Sequence, residues 1–151
     1  METRMKHPVF VVPDAMQALQ SLGKAVHKSG LSPQLIELVN LRASQINGCS
    51  VCVEMHSRSL KTAGESDERI FAVAAWRETP YFDEAERAAL ALAEAVTRLS
   101  DRADAVPDAI WDEAAKRFDE TELAGLVLAI AQINVWNRLN AATRQMAGAA
   151  W

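Results

Sequence analysis

Two Asp-x-x-Glu segments, Asp83 to Glu86 and Asp119 to Glu122, stand directly ahead of long apolar stretches of helical period. In such a segment the aspartate can accept the backbone N–H three residues on, while the glutamate reaches back to the aspartate N–H. Ser32-Pro33 is a third start signal, because serine caps a helix and proline is tolerated at its first position. Ser66 opens another helix, and Pro107 one more. No alternating strand pattern appears anywhere in the chain. These signals predict an all-α fold, a bundle of about six to seven helices.

In chain order, residues 1–12 read as an extended lead-in to a single domain spanning 1–151. Asp14 is expected to cap a helix from Ala15 to about Lys28, ended by Gly30. The second helix carries Leu35 to Ile46, and the third runs from the cysteine motif to Ala63 with Gly64 as its stop. A fourth is expected from Asp67 to about Trp76, and a long one follows Asp83 to about Leu99. A short sixth runs from Pro107 to Phe118, and the last from Leu123 to about Met146. From Leu123 to Trp136 that helix is apolar on nearly every face, which calls for burial on all sides. A chain of this size has few central places for it, so a homo-oligomer is expected.

Half of the 151 residues are apolar, enough for a sizeable core, and the net charge is −4. An acidic balance argues against a nucleic-acid partner. No charged n-region followed by an apolar h-region opens the chain, and the longest apolar run, Leu123 to Ala131, is too short to span a bilayer. A cytoplasmic protein without membrane contact is the expectation.

Both cysteines fall in one stretch, Asn47-Gly48-Cys49-Ser50-Val51-Cys52-Val53-Glu54-Met55-His56. Asn47-Gly48 marks a break, so the motif reads as helix, turn, helix, with the Cys49-x-x-Cys52 pair on the first turn of the second helix. Cys52 and His56 are then i and i+4 on one face. A free thiol titrates near ~8.5. The N–H groups and partial positive charge of a helix start favour the thiolate, and a nearby histidine can take its proton. Glu37 lies on the preceding helix, twelve residues before Cys49. Across a hairpin it can approach His56 and orient it. The helix field favours a thiolate on Cys49, whereas His56 favours one on Cys52.

Glu37, Cys49-x-x-Cys52 and His56, together with the tail stretch Ala131 to Arg138, resemble the alkylhydroperoxidase D-like (AhpD-like) group of the carboxymuconolactone decarboxylase superfamily. The resemblance spans roughly Val12 to Met146. The best-known members carry a histidine between the two cysteines, where this chain has Val51. The resemblance implies a thiol-dependent peroxidase of trimeric or hexameric assembly, with no bound cofactor. It implies Cys52 as the attacking thiol, Cys49 as its disulfide partner, and Glu37 with His56 as a proton relay. The substrate would be a hydroperoxide, and the reductant a lipoyl-type or thioredoxin-like dithiol.

Other readings of the same residues stay open. Cys49, Cys52, His56 and Glu37 have the donor types of a zinc site. A disulfide oxidoreductase or redox sensor needs only the dithiol. A lactone decarboxylase, the superfamily's other named activity, needs no cysteine pair, and a non-catalytic binding protein needs none of this chemistry. His7 and His27 show no partner pattern and read as bland, Glu54 as surface charge, and Arg42 as a possible partner of Glu37. Asn134, Asn137, Arg138, Asn140 and Arg144 give the last helix a polar side, read as structural hydrogen bonding. Trp76, Trp111 and Trp136 read as core or interface anchors.

Overall fold

The computed structural model describes residues 2–148. Among these, seven α-helices and three short 3-10 helices follow one another, with no strand. The helices are α1 (Ala15–Val26), α2 (Pro33–Asn47), α3 (Ser50–Thr62), α4 (Asp67–Ala72), α5 (Glu84–Thr97), α6 (Asp108–Arg117) and α7 (Glu120–Thr143). The capping signals work as the sequence predicts. Asp83 with Glu86 and Asp119 with Glu122 form complete capping boxes, and Ser32 accepts Leu35 N–H ahead of Pro33.

Several boundaries differ, each for a local reason. Asp14 makes no side-chain cap, because its backbone sits in the left-handed region at φ 64°. The fourth helix stops at Ala72 and passes into a 3-10 helix, Val73–Glu78, that kinks at Ala75. Tightening the turn there lets the Trp76 indole N–H reach Glu94 at 2.9 Å. The expected extended lead-in, whose Met1 lies outside the described residues, carries a 3-10 helix at Pro8–Phe10. It is fastened to the end of α7, since Arg4 N–H donates to Thr143 O at 2.9 Å and the Arg4 guanidinium to Ala142 O.

The most enclosed element is α2, not α7. Leu38, Val39, Leu41 and Ala43 are wholly buried on it, packed between α3, α5 and α7. One apolar cluster joins α1, α2, α5, α6 and α7 around Leu126 and Ile130; another joins α2, α4 and α5 around Leu38, Leu90 and Trp76. A third, small one gathers Ala43, Cys49, Cys52 and Ile133. Burying the dithiol against α2 and α7 excludes bulk water from one side of both sulfurs. On α7, Leu128 and Val135 stay about two-fifths exposed. Among the described residues, no helix is long and apolar enough to cross a membrane.

Candidate functional site

The hairpin that carries the motif turns on Gly48. Its φ of 66° is left-handed, which glycine adopts without a Cβ clash. Gly48 N–H donates to Gln45 O and Cys49 N–H to Ser44 O, the paired bonds that close a helix C-terminus. The chain then restarts at once, with Cys49 as the N-cap of α3. Its sulfur accepts the Cys52 N–H at 3.4 Å, filling the place usually held by a serine or aspartate oxygen.

Both cysteines are free thiols and both are buried. They differ in charge. The Cys52 thiol hydrogen-bonds to Cys49; that bond, reinforced by the Cys52 N–H, overcomes burial and lowers the Cys49 pKa to about 6. The same bond, with burial and the neighbouring negative charge, drives the Cys52 pKa upward. The direction of both shifts favours Cys49 as the more acidic thiol, the one the helix field also favours.

The sulfurs differ in access too. Beside α3 opens a cavity of about 880 Å³ lined by Cys52 and His56, whereas Cys49 is not on its wall. Its walls are largely apolar, formed by Val9, Phe10, Met16, Val51, Met55, Ile133 and Trp136. Cys52 thus borders the space a substrate would enter, while both cysteines stay buried, Cys49 at 4% and Cys52 at 1% exposure.

Glu37 and His56 meet across the hairpin as the spacing predicts, with Nδ1 and Oε2 2.7 Å apart. A carboxylate accepts, so the neutral ring donates from Nδ1 and presents a lone pair at Nε2. That Nε2 is buried and makes no hydrogen bond. The expected direct link from His56 to Cys52 is accordingly absent, although both line the same cavity. Arg42 does not pair with Glu37; its guanidinium goes to Glu94, at 2.8 Å from Nε. Among the described residues, no three His, Cys, Asp or Glu side chains are placed to hold a metal ion, so the zinc alternative lacks its ligand set.

Other residues complete the site, and the sequence reading gave them only a structural role. Asn140 donates its Nδ2 to Cys52 Sγ at 3.2 Å and to Cys49 Sγ at 3.5 Å. Asn134 and Asn137 accept from the Asn47 amide at 2.9 and 2.8 Å, pinning the end of α2 to α7. Asn137 also donates to Ser44 Oγ. The structural reading holds for Asn134 and Asn137 but is too narrow for Asn140. The signal was in the spacing: residues 134, 137 and 140 make a polar line on an otherwise apolar helix. His7 is buried and lines the cavity with its ring against Trp136, and His27 lines it from α1. Glu54 lines it as well, ion-paired to Arg58.

Comparison with known proteins places the fold and the family. The uncharacterized protein YdfG of Bacillus subtilis (strain 168) is 34% identical over 132 residues, 87% of this chain and 88% of its own length. A crystal structure of ATU0492 from Agrobacterium tumefaciens superposes with a TM-score of 0.90 at 34% identity, covering 99% of this chain and 100% of that one. That protein is of unknown function and provisionally assigned to antioxidant defence as AhpD. The debrominase Bmp8 superposes with a TM-score of 0.79 at 25% identity, covering 90% of this chain and 73% of that one. Residues 13–95 match the carboxymuconolactone decarboxylase family, to which this chain therefore belongs, as an AhpD-like member.

Proposed function

We propose that this chain is a thiol-dependent peroxidase that reduces hydroperoxides through a dithiol–disulfide cycle. The observation that carries the reading is Cys52 on the wall of a largely apolar cavity, with Asn140 Nδ2 donating to its sulfur and to that of Cys49. Moving one proton along the S–H···S bond of the pair transfers the charge from Cys49 to Cys52, where it meets substrate. The Cys52 thiolate attacks the terminal peroxide oxygen and the O–O bond breaks. Cys52 becomes a sulfenic acid, and the departing alkoxide takes the Cys49 proton to leave as an alcohol. The Cys49 thiolate then attacks the Cys52 sulfur, an S–S bond forms, and hydroxide leaves.

Hydroxide needs one proton to become water. His56, held by Glu37 and without a hydrogen bond at Nε2, takes that proton from solvent onto Nε2 and passes it to the hydroxide. Per turnover, a dithiol carrying one negative charge, one hydroperoxide and one proton give a disulfide, an alcohol and water. An external dithiol, lipoyl-type or thioredoxin-like, reduces the disulfide by exchange.

The test is hydroperoxide consumption with dihydrolipoamide as reductant, beside trapping of the sulfenic acid with dimedone. Turnover should vanish in Cys52→Ser together with the trapped adduct, and Cys49→Ser should still give the adduct. An adduct on Cys49 would reverse the two roles. Loss of two thiols per chain without turnover would leave a disulfide oxidoreductase or sensor.

The size of the cavity and the likeness to the debrominase Bmp8 favour one second reading. In it the same dithiol supplies two electrons to a halogenated ring, giving bromide, the reduced ring and the disulfide. Bromide release from a bromopyrrole under the same reductant separates the two readings.

A further inference from the structure

Cys52 lines the cavity yet is buried, and Cys49 behind it is buried too. A small oxidant can travel down a cavity of about 880 Å³. A reducing dithiol must do more, because exchange brings a third sulfur into line with the two already there. Part of the wall has to give way for that approach.

Most of the wall is firmly anchored. The helices α1, α2, α3 and α7 all line the cavity, and they bury Val26, Leu38, Leu60 and Leu126 in the core. The segment before α1 buries His7 and Val9. The segment after α7 differs. Ala147 and Gly148 line the cavity, but none of residues 144–148 is buried. Arg144 at φ 55° and Gly148 at φ 74° are both left-handed and turn this segment toward α3. There it is held by two side chains. Ala147 N–H donates to Ser50 Oγ at 3.2 Å, and Gly148 N–H donates to Glu54 Oε2 at 3.1 Å. Ser50 stands between the two cysteines in sequence, so the fastening is beside the dithiol. Ser50 is exposed and the Glu54 side chain is about one-third exposed, with its other oxygen taken by Arg58.

We propose that residues 144–148 are a strap over the dithiol cavity, latched by Ser50 and Glu54, that swings away to admit a reductant to the sulfurs. The hinge is Arg144, held in a backbone region that a non-glycine residue adopts at a cost. Two hydrogen bonds to partners open to water release more readily than a wall fixed by buried apolar side chains. Glu54 is then more than surface charge, since it forms the outer half of the latch. The strap controls access whatever the oxidant is; its use in reduction rests on the dithiol cycle proposed above.

Access is read by alkylation of the reduced full-length chain, with Cys52 followed by peptide mass. Iodoacetamide and the much bulkier fluorescein maleimide are compared, and the ratio of their rates cancels any change in thiolate fraction. Hydroperoxide consumption is a separate measurement, so failure of the strap and failure of the peroxidase reading are told apart. Ser50→Ala with Glu54→Ala removes both acceptors and should raise the maleimide-to-iodoacetamide ratio at least ~10-fold, the scale of two exposed hydrogen bonds. Glu54→Ala alone should raise it ~3-fold and serves as the readout if the double variant fails to fold. Glu54→Gln keeps an oxygen for the Gly148 N–H, and Arg58→Ala removes only the neighbouring cation; both should keep the wild-type ratio. A wild-type ratio in the folded double variant, or a rise in Glu54→Gln equal to that in Glu54→Ala, would overturn the proposal.

Discussion

His56 Nδ1 stands 2.7 Å from Glu37 Oε2, joining α3 to α2 across the hairpin, with the ring buried and the carboxylate about one-fifth exposed. The contact fixes the ring's rotation and its tautomer together and leaves Nε2, buried on a ring that lines the cavity, without a hydrogen bond and able to take a proton. Glu37→Gln keeps an acceptor of the same shape and removes the charge. Hydroperoxide kcat/KM is expected to fall by ~10²-fold, the usual scale for losing a positioned proton carrier, with the thermal midpoint little changed. Wild-type kcat/KM in that variant would remove the pair from the reaction.

The sulfur pair has its own pH signature. The Cys49 pKa is lowered to about 6, chiefly by the Cys52 thiol that donates to it. One thiolate per folded chain should therefore appear with a midpoint near pH 6 and disappear below it. In urea, which dissolves the S–H···S bond and the helix start, the midpoint should return to the ordinary thiol range near ~8.5. Cys52→Ala deletes the principal donor and should move the Cys49 midpoint upward. Cys49→Ser should leave no thiolate below about pH 8, because burial alone raises Cys52. Absorbance at 240 nm during a pH titration measures all three.

Away from the site, Glu94 is buried and receives three donors: the Arg42 Nε at 2.8 Å, an Arg77 nitrogen at 2.6 Å and the Trp76 indole at 2.9 Å. Burial pushes its pKa up, and the three hydrogen bonds with the Arg42 charge outweigh that and bring it below 4.5. A carboxylate with a lowered folded pKa stabilises the fold above its unfolded value and ceases to as pH drops through the folded value. Glu94→Gln should cost ~3 kcal/mol at pH 7, as when a buried ion pair loses one partner. The gap between the two proteins in urea unfolding should narrow as the pH falls below 4.5. A gap independent of pH would mean that hydrogen-bond shape, not charge, is what Glu94 contributes.

Gly125 is where α7 lies against Ser29, in the turn that follows α1. A Cβ there would collide with Ser29 Oγ and Cβ, and Ser29 is itself held by its 2.7 Å bond to Val26 O. Gly125→Ala should therefore destabilise by ~2 kcal/mol despite alanine's better helix propensity, since the collision outweighs about 1 kcal/mol of propensity. Pairing it with Ser29→Gly should restore most of the loss in thermal unfolding.

What the sequence disclosed divides along physical lines. The two capping boxes, the Gly48 turn, the Cys49 start of α3 and the Glu37–His56 pair all follow from hydrogen bonds or periodicities spanning fewer than twenty residues. Local rules reach that far. The Arg42–Glu94 pair spans 52 residues and the Asn140–Cys52 bond spans 88; both depend on which helix faces come together. His7 looked bland because nothing near it in sequence could be its partner. Its setting is made by α7, at the opposite end of the chain. Asp14 makes no side-chain cap and sits in the left-handed region at φ 64°, a backbone conformation that no propensity table encodes.

Assembly gives the last prediction. The sequence made α7 apolar all round, and the fold buries Leu126, Ile130 and Ile133 while leaving Leu128 and Val135 about two-fifths exposed. These two lie seven residues apart, two helical turns, and so share one outward face of α7. Two branched apolar side chains in register on one face are what a second copy of the chain would cover, so we predict a homo-oligomer; the resemblance to the AhpD-like group implies three or six copies. Light scattering should give three or six times the 16.5 kDa chain mass. Leu128→Glu with Val135→Glu should reduce it to a single chain, because a carboxylate pair cannot be buried without partners. The thiolate midpoint near pH 6 should persist in that variant if each chain carries its whole site, and should move if a neighbour closes the cavity. A wild-type mass of 16.5 kDa at micromolar concentration would sink the assembly and return Leu128 and Val135 to ordinary exposed apolar surface.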